Sequence, residues 1–232
     1  KEIIEYHIKG TRYSIKVDEN DGLVSGGDTT TQLTWMDARY DGWAVTPRYG
    51  KAVEINALWY NALRVVDDLS KKFNEPDDTY MKYADKVKAN FEKVFWNEKE
   101  ECLYDYVTED VKNDDIRPNQ IFAVSIPYTM LPKEKEIKIV NKVLEKLYTP
   151  HGLRSVSADC DKYIGIYKGT LFERDACYHQ GTVWSWPMGH FISAHKKVFG
   201  EKEIIAKMLN GLKTHFDQEG SIRTISEIFD GD

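Results

Sequence analysis

The chain has 232 residues, 41% of them hydrophobic, enough to bury one sizeable core in one large domain or two small ones. Its 32 basic and 38 acidic residues leave a net charge of -6 with no Lys/Arg-rich block, so neither nucleic acid nor an anionic membrane is an expected partner. No apolar stretch approaches the roughly 20 residues that span a bilayer, and the opening KEIIEYHIKG has no signal-peptide core, so a cytoplasmic location is expected.

In chain order, Asp21 to Thr31 (DGLVSGGDTTT) reads as a loop. The first helix runs through Ile55, Leu58, Ala62, Val66 and Leu69, and a second through Tyr80, Ala84, Val87, Phe91 and Val94, both with apolar residues at spacings of three and four. From Glu98 to Asp115, eight acids against Lys99 and Lys112 read as a solvated face without functional weight. Ile121 to Leu131 predicts a helix interrupted at Pro127. Another starts at Pro132-Lys133 and uses Val140, Val143, Leu144 and Leu147. Val183, Pro187, Phe191, Ala194 and Val198 predict a helix with Pro187 in its first turn and Gly200 as its stop. Ile205, Met208, Leu212 and His215 or Phe216 predict the last. No run alternates over several strands, so the expected class is all-α, an array of helical hairpins with no internal domain boundary.

Cys102, Cys160 and Cys177 form no CxxC or metal-ligand spacing, and their odd number argues against a disulfide framework. His179-Gln180 has no second histidine or cysteine at a ligand spacing, so no metal is expected. No serine elbow, phosphate loop or dinucleotide fingerprint is present, and no cofactor is expected.

The polar and aromatic residues gather in five runs: LTWMDAR (33–39), TPRYGKAVEINALWY (46–60), RPNQIF (117–122), YHQGTVWSW (178–186) and SEIFDGD (226–232). Five of the six tryptophans, Trp35, Trp43, Trp59, Trp184 and Trp186, lie in or beside them. Flat aromatic faces among Arg, Asn, Gln, His and carboxylate groups suit a sugar, with its apolar C–H faces and hydroxyl rim. Asp37 follows the apolar Trp35-Met36 pair, a setting that can raise a carboxyl pKa and keep a general acid protonated. Glu227, in a loop after Gly220, is placed to hold a water as general base. Asp28, Asp41, Glu54, Asp175 and Asp230 compete for these roles on spacing alone.

At QLTWMDA, VTPR.GK.VEINALWYNAL, RPNQIFAVS, L.TP.GLRS, YHQGTVW and SEIFDGD, in that order from about Tyr6 to Asp232, the chain resembles the amylo-α-1,6-glucosidase module of glycogen debranching enzymes. The resemblance implies an (α/α)6 toroid. It also implies inverting hydrolysis of the α-1,6 link that attaches a single glucose stub to glycogen or limit dextrin, an α-glucan ligand. Asp37 would be the acid and Glu227 the base. The pocket would be lined by Trp35, Arg48, Glu54, Asn56, Trp59, Arg117, Asn119, Gln120, His179, Gln180 and Trp184. The family often reads Trp-Pro-Trp where Trp184-Ser185-Trp186 stands here, and Asp159-Cys160-Asp161 is a local variation. Six or seven helices are about half of the twelve in a toroid. The chain also opens at Lys1 and stops just after a motif. A partial toroid, residues 1–232 as part of a single glucosidase domain of a larger protein, is therefore the expectation. Another α-glucoside hydrolase of the toroid type and a non-catalytic glycan-binding fragment are the alternatives.

Overall fold

A computed structural model describes residues 1–200 and 202–232. The helices are α1 (Glu2–Lys9), α2 (Val53–Lys72), α3 (Thr79–Phe95), α4 (Phe122–Ser125), α5 (Lys133–Lys146), α6 (Leu171–Cys177), α7 (Met188–Phe199), α8 (Lys202–Met208) and α9 (Asn210–Gln218). The long helices α2, α3, α5 and α7 are those the apolar spacing marks, because each buries one stripe against a neighbour. α2 packs on α3, and α5 on α7. Tyr60, Leu63, Ala84, Val87, Phe91, Phe95, Ile139, Val143 and Phe191 meet in one core that extends from Ile4 to Leu212. A face of α2 with Leu58, Val65 and Leu69 stays exposed, as do Phe73 beyond it and Ile3 and Tyr6 of α1.

Local signals explain the ends. Pro187 occupies the N-cap of α7, and its C-cap Gly200 adopts φ 75°, left-handed backbone that glycine takes without a Cβ penalty. The Ile121 to Leu131 expectation shrinks to a 3-10 turn, Pro118–Ile121, and the single turn of α4, which stops before Pro127. The last expected helix is two, broken at Leu209. Val183 lies outside α7, in a strand.

The all-α expectation is corrected in one respect. Besides its helices, the chain holds strands of two or three residues in small antiparallel sheets among the described residues. Each is shorter than the alternating run of about four to eight residues by which a strand is read from sequence. The four-stranded sheet runs in the order Tyr148–Thr149, Gly152–Arg154, Val183–Trp184, Ile228–Phe229. Leu153 pairs with Trp184, and Trp184 in turn with Ile228. This sheet lays the SEIFDGD run beside the YHQGTVWSW run. No helix among the described residues is long and apolar enough to cross a membrane.

Candidate active site

Asp37 stands between two anchored neighbours. Met36 is fully buried, with its Sδ 3.7 Å from both Arg117 Nη1 and Asn119 Nδ2, and Ala38 is buried too. The next residues form a hairpin, Arg39–Tyr40 against Trp43–Ala44, through Asp41-Gly42 with φ 43° and 83°. Positive φ at both turn positions is the type I′ geometry that matches strand twist. Asp37 itself is exposed, so the apolar enclosure that the Trp35-Met36 pair suggests is not formed: Met36 turns inward and Asp37 outward.

Trp35 is the centre of an aromatic box. Its ring meets His179, Trp184 and Trp186 edge-on at 5.3, 5.2 and 4.8 Å, and its Nε1–H donates to Asn119 Oδ1 at 2.7 Å. His179 stacks on Trp184 at 4.9 Å with 15° between the planes. The imidazole is completely buried, neither ring nitrogen finds a hydrogen-bond partner, and burial, then the charges of Arg117 and Arg48, push its pKa down to about 3. It is a neutral packing group at ordinary pH.

Behind the box runs a buried polar network. Arg48 Nε donates to Asp105 Oδ2 at 2.5 Å, Arg48 Nη2 to Glu54 Oε2 at 2.6 Å, and Arg48 Nη1 to Glu54 Oε1. Burial alone would lower the Arg48 pKa, but Asp105 and Glu54 outweigh it and hold the guanidinium charged. Asp105 also accepts from Asn119 Nδ2 at 2.7 Å, and Arg117 Nε lies 3.7 Å from Asp105 Oδ2. Arg117 donates to the carbonyls of Ser155 (3.1 Å) and His179 (2.7 Å) and to Gln180 Oε1 (2.9 Å). Gln180 Nε2 donates to Thr46 Oγ1 at 3.2 Å, and Gln120 Oε1 accepts from the Leu103 amide at 3.3 Å.

The polar atoms of Arg48, Glu54, Arg117, Asn119, Gln120 and Gln180 are therefore engaged inside the chain, which gives them the place of a frame behind the aromatic surface. Asn56 and Trp59 lie elsewhere: Asn56 brackets the backbone of Val24, and Trp59 stacks on His7 at 5.7 Å and donates to the Gly22 carbonyl at 3.0 Å. Of the competing carboxylates, Asp28 closes a turn on Thr30, and Asp230 accepts from the Tyr167 amide. No sequence pattern marks Asp105. It stands in the stretch read as a solvated face, yet is 2% exposed.

Glu227, also exposed, is held by its neighbours. Ile228 pairs with Trp184, Ser226 O accepts from Ser185 Oγ at 3.0 Å, and Ser226 Oγ lies 3.1 Å from His215 Nε2. Arg154 Nε donates to the Gly231 carbonyl at 2.8 Å. The Glu227 carboxylate accepts the Tyr178 hydroxyl at Oε2, 2.7 Å away. Burial, then that bond and the charge of Glu227, with smaller contributions from Tyr167 and Asp37, raise the Tyr178 pKa. Neither carboxylate lines the cavity of about 170 Å³ among His7, Ile15, Val24, Leu33, Arg48 and Ile55. Their face is open. Among the described residues no group of three or more His, Cys, Asp or Glu is placed to hold a metal ion.

Comparison with known proteins adds to this geometry. A family model described as amylo-alpha-1,6-glucosidase matches residues 1–232. The glycogen debranching enzyme of Saccharomyces cerevisiae is 27% identical over an alignment of 235 positions, gaps included, that covers 80% of this chain and 15% of the yeast protein. Among solved structures, a GH63 mannosylglycerate hydrolase from Thermus thermophilus in complex with glucose superposes with a TM-score of 0.60 at 13% identity, over 78% of this chain and 40% of that one. Neutral trehalase from Saccharomyces cerevisiae does so with a TM-score of 0.60 at 17% identity, over 84% and 36%. The chain thus shares a fold with these proteins while spanning less than half the length of each.

Proposed function

The chain belongs to the amylo-alpha-1,6-glucosidase family, and from that premise we propose that it carries the acid and base of an inverting hydrolase that releases glucose from α-1,6 branch stubs of an α-glucan. Asp37 protonates the glycosidic oxygen as the bond to the anomeric carbon breaks. Glu227 takes a proton from a water whose oxygen bonds to that carbon from the opposite face. Such a pair works with its carboxyl groups roughly 6.5 to 9.5 Å apart, leaving room for the water. Trp35, partly exposed, offers ring surface to the sugar's C–H face, while Trp184, buried and stacked on His179, backs it from within. The helices form part of an (α/α)6 toroid, and glycogen or limit dextrin in the cytoplasm is the substrate.

The observation that carries the reading is that two runs 190 positions apart reach one aromatic box: Trp35, two residues before Asp37, packs on Trp184 at 5.2 Å, and Tyr178, bonded to Glu227, packs on the same ring at 4.9 Å. Glycoside hydrolysis by two carboxylates asks for such a meeting of remote acids. A second reading, a glycan-binding fragment without turnover, draws on the exposure of both carboxylates.

The test is glucose release from glucosyl-branched limit dextrin, with the anomer followed by NMR. β-Glucose appears first, and Asp37→Asn or Glu227→Gln each lowers the rate by at least about a hundredfold, in keeping with the weight of acid–base groups. Undiminished hydrolysis in both variants, or α-glucose as the first product, overturns the assignment. Dextrin binding without release by the unmodified chain favours the second reading.

A further inference from the structure

We infer that Tyr178 is a positioning residue for Glu227, fixing the carboxylate that the proposed mechanism uses as its base. The inference rests on that mechanism and deepens it. Tyr178 is well placed for the task because every part of it but the hydroxyl is already committed. Its carbonyl accepts from Thr182 Oγ1 at 2.6 Å and from Trp184 Nε1 at 3.0 Å. Its ring meets Trp184 at 4.9 Å, His179 at 5.0 Å and Tyr167 at 5.6 Å. The hydroxyl is left to donate to Glu227 Oε2.

Glu227 needs such a partner. It is exposed, its neighbours Ile222 and Ile225 are exposed as well, and the strand after it holds only two residues. An exposed glutamate has three rotatable side-chain bonds, and a base must hold its water along one line of attack. A donor on a fixed ring removes part of that freedom without neutralising the carboxylate. One oxygen, Oε2, accepts the phenol, which leaves Oε1 for the water. The ionisable groups about the phenol are Glu227, Asp37, Tyr167 and, behind the ring, the neutral His179, whose carbonyl accepts from the buried Arg117.

Tyr178→Phe keeps the ring and removes the donor. In dextrin hydrolysis its kcat falls about tenfold to a hundredfold while KM changes less than about threefold, since orientation and not sugar contact is lost. In a Glu227→Gln background the same substitution adds less than about a twofold loss, whereas a merely structural role would cost the same in both backgrounds.

A second measurement stands free of turnover and uses the chain as it is. With 13C-labelled tyrosine, the Tyr178 Cζ resonance, assigned through the backbone of His179 and Gln180, titrates at lower pH in Glu227→Gln than in the parent. An unchanged titration shows that phenol and carboxylate do not meet and overturns the inference, even if Tyr178→Phe does not fold. Full kcat in Tyr178→Phe, alongside crippled Asp37→Asn and Glu227→Gln, sinks the positioning role and leaves the two-carboxylate mechanism standing. Undiminished hydrolysis in both carboxylate variants removes the mechanism itself, and the positioning role with it.

Discussion

Replacing Asp105 with alanine strips the central acceptor from the network behind the aromatic box. The side chains of Arg48, Asp105 and Arg117 are 1%, 1% and 3% exposed, so no water stands ready to replace the carboxylate. Arg48 would keep Glu54, but its Nε would lose its acceptor, and Asn119 would lose the partner of its Nδ2. Breaking a buried ion pair from one side costs about 3 to 5 kcal/mol, and an orphaned neutral donor about 1 to 3 kcal/mol, not fully additive. A loss of about 5 kcal/mol is the working figure, a large part of the total stability of a domain. At about 2 to 4 °C per kcal/mol for a domain of this size, the melting temperature drops by about 10 to 20 °C. Thermal unfolding followed by circular dichroism measures it, with Glu75→Ala as control. That change removes the exposed Lys1–Glu75 contact and leaves the melting point where it was. An Asp105→Ala protein melting within about 3 °C of the parent would refute the reasoning, since so small a shift is what an exposed pair gives.

Two further outcomes follow from single residues. Because His179 stays neutral down to about pH 3 while the unfolded chain protonates near pH 6.5, its contribution is fully present above that value. It is lost as pH falls toward 3, by up to about 1.4 kcal/mol per pH unit. His179→Phe retains a ring against Trp184 and flattens the decline of melting temperature between pH 6 and 4; an unaltered slope contradicts this. Gly231→Ala would put a Cβ 2.3 Å from the Gly181 carbonyl oxygen and displace the strap that follows Glu227, so hydrolysis falls at least about tenfold while the α2 and α3 helical signal persists. Retained activity would show that the strap does not hold the base.

What the sequence disclosed and what it hid have different physical causes. α2, α3 and α5 were legible because a helix of 14 to 20 residues repeats its apolar stripe several times, as Tyr80, Ala84, Val87 and Phe91 do. The strands were not, since two residues cannot show a period of two. Asp105 was hidden for another reason. Composition counts a carboxylate as solvated, and only the return of Arg48, 57 positions away, makes it an interior ion. Asn56 and Trp59 share a run with Arg48 and Glu54, yet α2 turns them toward Gly22, Val24 and His7. A motif marks residues near one another along the chain, and the helix then distributes them over different faces. Tyr178 stood at the edge of a marked run, and its partner lies 49 residues on, a distance no local pattern bridges.

The two carboxylates are supported unequally, and the inequality matches the work proposed for them. Asp37 is flanked by buried Met36 and Ala38 and backed by Trp35, whose bond to Asn119 joins it to the ions of the core. Glu227 hangs on a two-residue strand, on Ser226 and on the Gly231 carbonyl, after a stretch whose Ile222 and Ile225 are exposed. Segments with few buried apolar contacts open at a small fraction of the global unfolding free energy. An acid must meet a glycosidic oxygen already fixed by the bound sugar, so a rigid mount suits it. A base must admit a water and align it in each cycle, and it can do so from a strap that yields, provided something arrests the carboxylate at the moment of attack. Tyr178, anchored through its ring and carbonyl to the same aromatic box that carries Trp35, supplies that arrest from the rigid side of the site.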